Sequence, residues 1–307
     1  MRVRIAGVSQ SKSLGRSVAS NLKFITKTLE PLLEAGADIV CLPEAFTAKG
    51  VPITSVADVA ETVPGPTIDA LARLAARYQC YIICPIYTRR DGVFRNSAVL
   101  LDRAGAVAGI YDKARPCASS ATYTVFEEGI VPGTGPAHFD LDFGRAGIRI
   151  CMDVEFAGDW KELADNGVKV VFWPSAFAGG IMLQAHAIQH HYYIVSAVRT
   201  GPSRIIDPCG HVLAETAPDK SYVLAEVNLD YAVMPQNANN ALERIAARYG
   251  AQVSSKSYPE EGLFLIEPAV PDLTIAEVCS ELGLEPAQRV RERHAEAYQR
   301  LAAASFA

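Results

Sequence analysis

Gly147-Ile148-Arg149-Ile150-Cys151-Met152-Asp153 is the stretch from which the fold is read. Ile148 and Ile150 alternate as in a strand, and the alternation stops at a cysteine. The segment from Gly158 to Gly167 follows with Trp160, Leu163 and Ala164 at helical spacing. Cys151 therefore stands where a strand ends and the chain turns towards a helix. In α/β sheets that edge is where ligands bind. A sharp strand-to-helix turn also projects its side chain out of the sheet. Taken alone, one cysteine at such a place fits a buried structural thiol better than a nucleophile.

Towards the N-terminus, residues 3–8 alternate as a strand. Ser17 opens a helix running towards residue 34, with Val18, Leu22, Ile25, Leu29 and Leu33 on one face and Gly36 beyond its end. Residues 38–43 form a short, nearly continuous apolar run, as for a strand buried on both faces, and Glu44 follows directly. A second helix spans 66–78 with Pro66 in its first turn. Strands are read at 81–87, 96–101 and 106–111, the last two joined as a hairpin through Gly105. The third of these runs into Asp112-Lys113. Residues 114–136 show no period, and a loop this long in a compact domain is usually functional.

Residues 137–142 and 145–151 read as a hairpin around Phe143-Gly144. A strand over 168–173 closed by Pro174, a helix over 180–191, and strands at 192–198, 204–207, 212–215 and 222–227 follow. Strands alternating with helices and mixed with hairpins predict an α/β sandwich with some antiparallel pairing. Past residue 230 the pattern changes to helices at 238–249 and 286–303, with Ser-, Lys- and Pro-containing linkers between them. The division expected is a body over 1–230 and a C-terminal extension over 231–307. Leu263-Phe264-Leu265-Ile266 is too apolar to lie free in solvent, so the extension is expected on the body or on a partner subunit.

The chain has 307 residues, 50% hydrophobic and 21% charged, with a net charge of −5 and no basic run. That composition argues for a globular protein without a nucleic-acid surface. No apolar run approaches the ~20 residues of a membrane span, and residues 1–6 are too short an apolar pattern for a signal peptide. The seven cysteines include no Cys-x-x-Cys pair, which fits free thiols in a reducing, cytoplasmic compartment better than a disulfide framework.

Glu44, Lys113 and Cys151 each follow a buried-type strand, and their types suit one reaction. A thiol of ordinary pKa (~8.5) needs a base or a positive neighbour to act as a nucleophile at neutral pH. Glu44 can take the thiol proton, and Lys113 can favour the thiolate and then an oxyanion.

Leu42-Pro43-Glu44, Tyr111-Asp112-Lys113 and Ile148-Arg149-Ile150-Cys151-Met152-Asp153, in that order, resemble the nitrilase superfamily of carbon–nitrogen hydrolases. The likeness runs from the first strand to about residue 230 and includes Trp173-Pro174-Ser175 and the segment Ser203 to Gly210. The resemblance implies an α-β-β-α sandwich, a Glu44–Lys113–Cys151 triad and no cofactor. It implies cysteine attack, loss of ammonia or amine, and hydrolysis of a thioester by water activated by the glutamate. The backbone N–H of Met152 would join Lys113 at the oxyanion. A second glutamate recurs in the family before the cysteine strand; Glu127 and Glu128 compete for it. Glu128-Gly129-Ile130-Val131-Pro132-Gly133 resembles a motif of aliphatic amidases, which favours Glu128. Lys113-Ala114-Arg115-Pro116 resembles another motif of those amidases. Tyr123, Phe126 and Trp173 are further candidates for contact with substrate, with loop packing as the alternative for the first two.

Departures bear on substrate. Phe156-Ala157-Gly158 replaces the family's usual Phe-Pro-Glu, and Met152-Asp153 replaces the Trp-Glu of nitrilases proper. The resemblance therefore implies an amidase acting on a small carboxamide or N-carbamoyl compound. A nitrilase and a non-catalytic binding or assembly subunit are the alternatives. It also implies paired subunits, so a homodimer or higher even oligomer is expected, with the extension at the interface. His186 and His190 are four apart, a metal-ligand spacing, but lack an acidic third ligand, and Gly133-Thr134-Gly135 lacks the setting of a dinucleotide loop. No metal and no nucleotide cofactor are expected.

Overall fold

The strands split their apolar side chains between two cores. In β1 (Arg2–Val8), Val3 and Ile5 join one core, while Ala6 and Val8 join another. The period of two repeats in β2 (Ile39–Cys41), β3 (Tyr81–Arg90) and β4 (Val93–Leu101). Ile39, Cys41, Ile83 and Leu100 go with the first core, and Val40, Ile82, Cys84, Val99 and Leu101 with the second. Strands buried on both faces belong to a sheet between two layers. The structure, a computed structural model, describes residues 2–304 except Glu128, Pro136 and Asn239.

Helices α1 (Val18–Glu34) and α2 (Pro66–Tyr78) form one of those layers, with Ile25, Leu29, Leu32, Ile68, Leu71 and Ala75 against the sheet. Ser17 caps α1 through its side chain, as its place in the sequence predicts. β5 (Val107–Asp112) completes the hairpin from β4. A second sheet follows from β6 (His138–Leu141), β7 (Gly144–Ile148), β8 (Val170–Ser175), β9 (Tyr193–Val198), β10 (Arg204–Ile206) and β11 (Val212–Glu215). Its outer face carries α3 (Ala157–Asp165) and α4 (Ile181–His190), with Trp160, Leu163, Leu183 and Ala187 inward. β12 (Tyr222–Asn228) returns to the first sheet. The strand orders are β12-β1-β2-β3-β4-β5 and β11-β10-β9-β8-β7-β6. The layers are therefore α-β-β-α, as the resemblance implied.

Each sheet has a parallel centre, β1-β2-β3 and β7-β8-β9, with antiparallel strands at its margins. The sheets come closest where β1 crosses β9. A Cβ on Gly7 would lie 2.3 Å from the backbone oxygen of Ser196, so only glycine permits the approach. Pro174, expected to close a strand, lies inside β8 opposite Ala197. The pairing of β8 with β7 ends at Phe172, because the chain has already left β7 for the Cys151 turn. Pro174 therefore faces an open side, where no donor is required.

The extension departs most from expectation. It contains an antiparallel sheet in the order β13-β15-β14, made of β13 (Ala232–Pro235), β14 (Val253–Tyr258) and β15 (Leu263–Pro268). Around it lie α5 (Ala241–Tyr249), α6 (Ile275–Leu282) and α7 (Ala287–Ala304). Met234, Phe264 and Ile266 pack with Ile245, Ile275 and Val278 in a third core. Val233, Tyr258 and Leu265, on the sheet's other face, join the core of the body. The apolar run in β15 is thus buried within its own chain and forms no exposed patch.

Candidate active site

The parallel strands end on one edge of the sandwich, and the predicted triad collects there. Glu44 lies three residues past β2 and Lys113 directly past β5; they are 3% and 1% exposed. Cys151, three residues past β7, is 7% exposed and has a φ of 46°, a left-handed conformation that costs a non-glycine residue strain. It begins a short 3₁₀ turn over Cys151–Glu155 that leads into α3. This is the strand-to-helix elbow read from the sequence.

Buried Asp153 holds the elbow to the lysine loop. Its carboxylate accepts from the backbone N–H of Ile150 (2.7 Å), the Tyr111 hydroxyl (2.6 Å) and the backbone N–H of Arg115 (2.8 Å). Trp173 is wholly buried, and its Nε1–H donates to the backbone oxygen of Cys151 at 3.1 Å. It lies beneath the cysteine as a support, a different place from the substrate-contacting one expected of it.

The ammonium of Lys113 donates to Glu44 Oε1 at 2.8 Å and also to Glu127 Oε1. Asn96 spans the same two carboxylates, its Nδ2 donating to Glu44 Oε1 (2.9 Å) and Glu127 Oε2 (3.0 Å). Both donors meet Glu44 at Oε1. Its Oε2 faces the guanidinium of Arg199, with Nη2 at 3.8 Å. Among the described residues the second glutamate on Lys113 is Glu127; Glu128, favoured from the motif, lies outside the described residues. Glu127 has a φ of 39° and also accepts from the Cys117 backbone N–H at 3.1 Å.

Burial drives the electrostatics, and charges correct it. Burial pushes the Glu44 carboxyl up, but Lys113 and Arg199 outweigh it and hold the group below its ordinary value. Burial pushes the Lys113 ammonium down, but Glu44, Cys151 and Glu127 carry it well up, so it stays charged. The Cys151 thiol is pushed up to about 12, first by burial and then by the charge of Glu44. Lys113, the backbone N–H of Ala176 and the side chain of Ser175 pull the other way without reversing that. The resting state thus pairs a neutral thiol with an ionised Glu44. Lys113 does not keep the free thiol ionised, contrary to what its charge alone suggested.

Met152 is half-buried, and among the described residues no partner takes up its backbone N–H. Phe126 is half-buried and Tyr123 is 74% exposed at a φ of 55°, both on the long loop after β5. His186 stacks on Trp160 with ring centroids 4.3 Å apart, and its Nε2 lies 2.8 Å from the Val154 carbonyl. Sequence reasoning missed Asn96, Ser175 and Arg199. Arg199 and Ser175 carry the signal that found the triad, a polar side chain at the end of an apolar strand. Asn96 opens the apolar run of β4 with nothing to mark it.

Residues 2–233 match the family model described as carbon-nitrogen hydrolase. Omega-amidase NIT2-A of Xenopus laevis is 26% identical over 234 residues, covering 69% of this chain and 84% of that protein. Deaminated glutathione amidase of Synechocystis sp. is 27% identical over 244 residues, covering 70% and 88%. Among solved structures, XC1258 from Xanthomonas campestris, a CN-hydrolase superfamily protein, superposes with a TM-score of 0.65 at 21% identity. That match covers 82% of this chain and 96% of that one. A match over three quarters of the sequence, on the fold that such proteins share, makes this chain a member of the carbon–nitrogen hydrolase family.

Proposed function

We propose that the protein is a cofactor-free amidase that hydrolyses a small carboxamide or N-carbamoyl compound through Cys151. The observation that carries this reading is the convergence of Cys151 with the Lys113–Glu44–Glu127 cluster on one strand edge. Glu44 Oε2, which takes no hydrogen bond among the described residues, takes the thiol proton as Sγ attacks the carbonyl carbon. The oxyanion forms against Lys113 Nζ and the backbone N–H of Met152, in a site that excludes most water. Glu44 returns the proton to the leaving nitrogen as the C–N bond breaks, giving ammonia and a thioester. It then draws a proton from water, whose oxygen attacks the thioester. Collapse releases the acid and restores the thiol. Glu127 holds Lys113, with Asn96 tying both carboxylates to one frame.

Similarity to an omega-amidase and to a deaminated glutathione amidase supports amide over nitrile. A panel of amides, ureido acids and nitriles assayed for ammonia release tests the reading. Turnover of nitriles alone would replace it with a nitrilase, and no turnover by a protein with intact Cys151 would favour a binding subunit.

The reading includes an even-numbered homo-oligomer in the cytoplasm. The extension's apolar runs no longer support assembly, because they are buried in their own chain. Support comes instead from exposed apolar side chains, Tyr123, Phe156 and Phe177 between elements and Ile181 at the start of α4. All seven cysteines are unpaired, which suits a reducing compartment. Among the described residues no helix is long and apolar enough to cross a membrane.

A further inference from the structure

The end of β8 meets the sulfur atom that the chemistry above takes through a charged state. Side chains two apart on a strand share a face. Trp173 and Ser175 are such a pair, with Pro174 turned the other way. Trp173 reaches the backbone oxygen of Cys151, and Ser175, one step further along the same face, reaches its thiol. Ser175 is wholly buried. Its backbone oxygen accepts from the Arg199 N–H at 2.9 Å, and its Oγ accepts from the Phe177 N–H at 3.1 Å. The hydroxyl still has one proton to donate. Among the described residues no oxygen or nitrogen accepts it, which leaves it for Cys151 Sγ. The backbone N–H of Ala176, the next residue, is directed at the same sulfur.

The sulfur is neutral as a thiol at rest and neutral again as a thioester. It bears negative charge only between the two. On attack the S–H bond breaks, its proton passes to Glu44, and the electron pair left on sulfur forms the S–C bond. On deacylation the S–C bond breaks, its pair returns to sulfur, and the proton that Glu44 drew from water follows. A hydrogen bond to an anion is roughly twice as strong as one to a neutral acceptor. Donors fixed at Sγ therefore favour the charged stage over both neutral ones, which is the condition for raising turnover. Lys113 and the Met152 N–H serve the substrate oxygen and leave this task to β8.

Resting on the amidase reading, we propose that Ser175 is a further catalytic residue, whose hydroxyl, with the Ala176 N–H, forms a second anion hole around Cys151 Sγ, separate from the one for the substrate oxygen.

Alkylation of Cys151 by iodoacetamide needs charge on the sulfur and requires no hydrolysis. Its rate at Cys151, followed by peptide mapping, should fall roughly tenfold to a hundredfold in Ser175→Ala at neutral pH, the worth of a hydrogen bond to a charged group. A serine that only fills space gives the opposite sign. Loosened packing would expose the thiol, relieve the burial that pushes it up, and speed alkylation. In the ammonia-release assay kcat should fall with KM little changed, since the neutral states keep their energies. Unchanged or faster alkylation in Ser175→Ala overturns the proposal. Ser175→Cys is nearly the same size and a weaker donor. Should only that variant fold, slower alkylation at Cys151 supports the proposal, and an equal or faster rate counts against it. Slowed alkylation in Ser175→Ala with no amide hydrolysed by the wild type retains the sulfur donors and removes the amidase. Amides hydrolysed alike by wild type and Ser175→Ala, with alkylation unchanged, does the reverse.

Discussion

Lys113 is shared between two carboxylates, and that sharing sets what single substitutions should do. Lys113→Met would leave Glu44 and Glu127 facing each other in a buried site. Breaking a buried pair in this way costs about 3–5 kcal/mol, which a urea titration would detect. Lys113→Arg keeps the charge, but its planar fork cannot replace a compact ammonium at the oxyanion, so turnover should fall on the order of 10²–10³-fold. Glu127→Gln should lower turnover on the order of 10²-fold by letting Lys113 shift by about an ångström, while Glu128→Gln should stay close to wild type in the same assay. Cys151→Ala should release no ammonia and melt at an unchanged temperature. Because the thiol is pushed up to about 12 and Glu44 is held down, both reactants keep their resting protonation across the neutral range. The profile of kcat/KM against pH should therefore be level there, with no step near the ~8.5 of a free thiol. A step at that pH would mean a preformed thiolate.

At the level of elements, the contact between β1 and β9 holds the two sheets in register at the site. Gly7→Ala would drive a methyl group into the Ser196 carbonyl. Backbone cannot swing aside as a side chain can, so the cost should be at least about 1–3 kcal/mol, measurable as a lower denaturation midpoint. Helix α4 adds a pH response. His190 and His191 are lowered from 6.5 to about 4, chiefly by burial, with Arg291 of α7 adding to both, and Asp165 of α3 opposing it at His190. Folding therefore keeps them neutral where the unfolded chain takes up protons. Stability should be lost as pH falls from about 6.5 towards about 4, and present in full above that window. Chemical denaturation across those pH values tests this, and His190→Gln should flatten the slope between pH ~5 and ~6.5.

Across the whole molecule, the extension is bound into the body. Tyr258 donates from its hydroxyl to buried Asp207, Tyr193 donates to Glu267 at 3.1 Å, and Arg291 on α7 donates to Gln189 O at 2.7 Å. Removing residues 231–307 would uncover Val227, Leu229 and Tyr193 of the central core. The truncated chain should aggregate on expression, not yield a folded, active body; light scattering and ammonia release on any soluble fraction would show which. A folded and active truncation would mean that the extension's core is dispensable.

The sandwich was legible because its signals are local. Val3–Val8 alternates with period two, the segments around Cys41 and Leu100 are short unbroken apolar runs, α1 and α2 carry apolar faces of period 3.6 and visible caps, and Glu44, Lys113 and Cys151 each sit where such a pattern stops. Those properties follow from a few consecutive residues, and the order of the motifs then implied the family. The small sheet was not legible. Val233 pairs with Leu265, more than thirty residues away, and β14 reads Ser-Ser-Lys-Ser between its ends, with no apolar alternation to announce a strand. Nor could the sequence choose between Glu127 and Glu128, or show that Asn96 links two carboxylates and that Arg199 stands beside the base. Adjacent loop residues differ in direction by backbone torsions alone, here a φ of 39° at Glu127. Which side chain reaches Lys113 is settled only when strands from both sheets are brought to one edge.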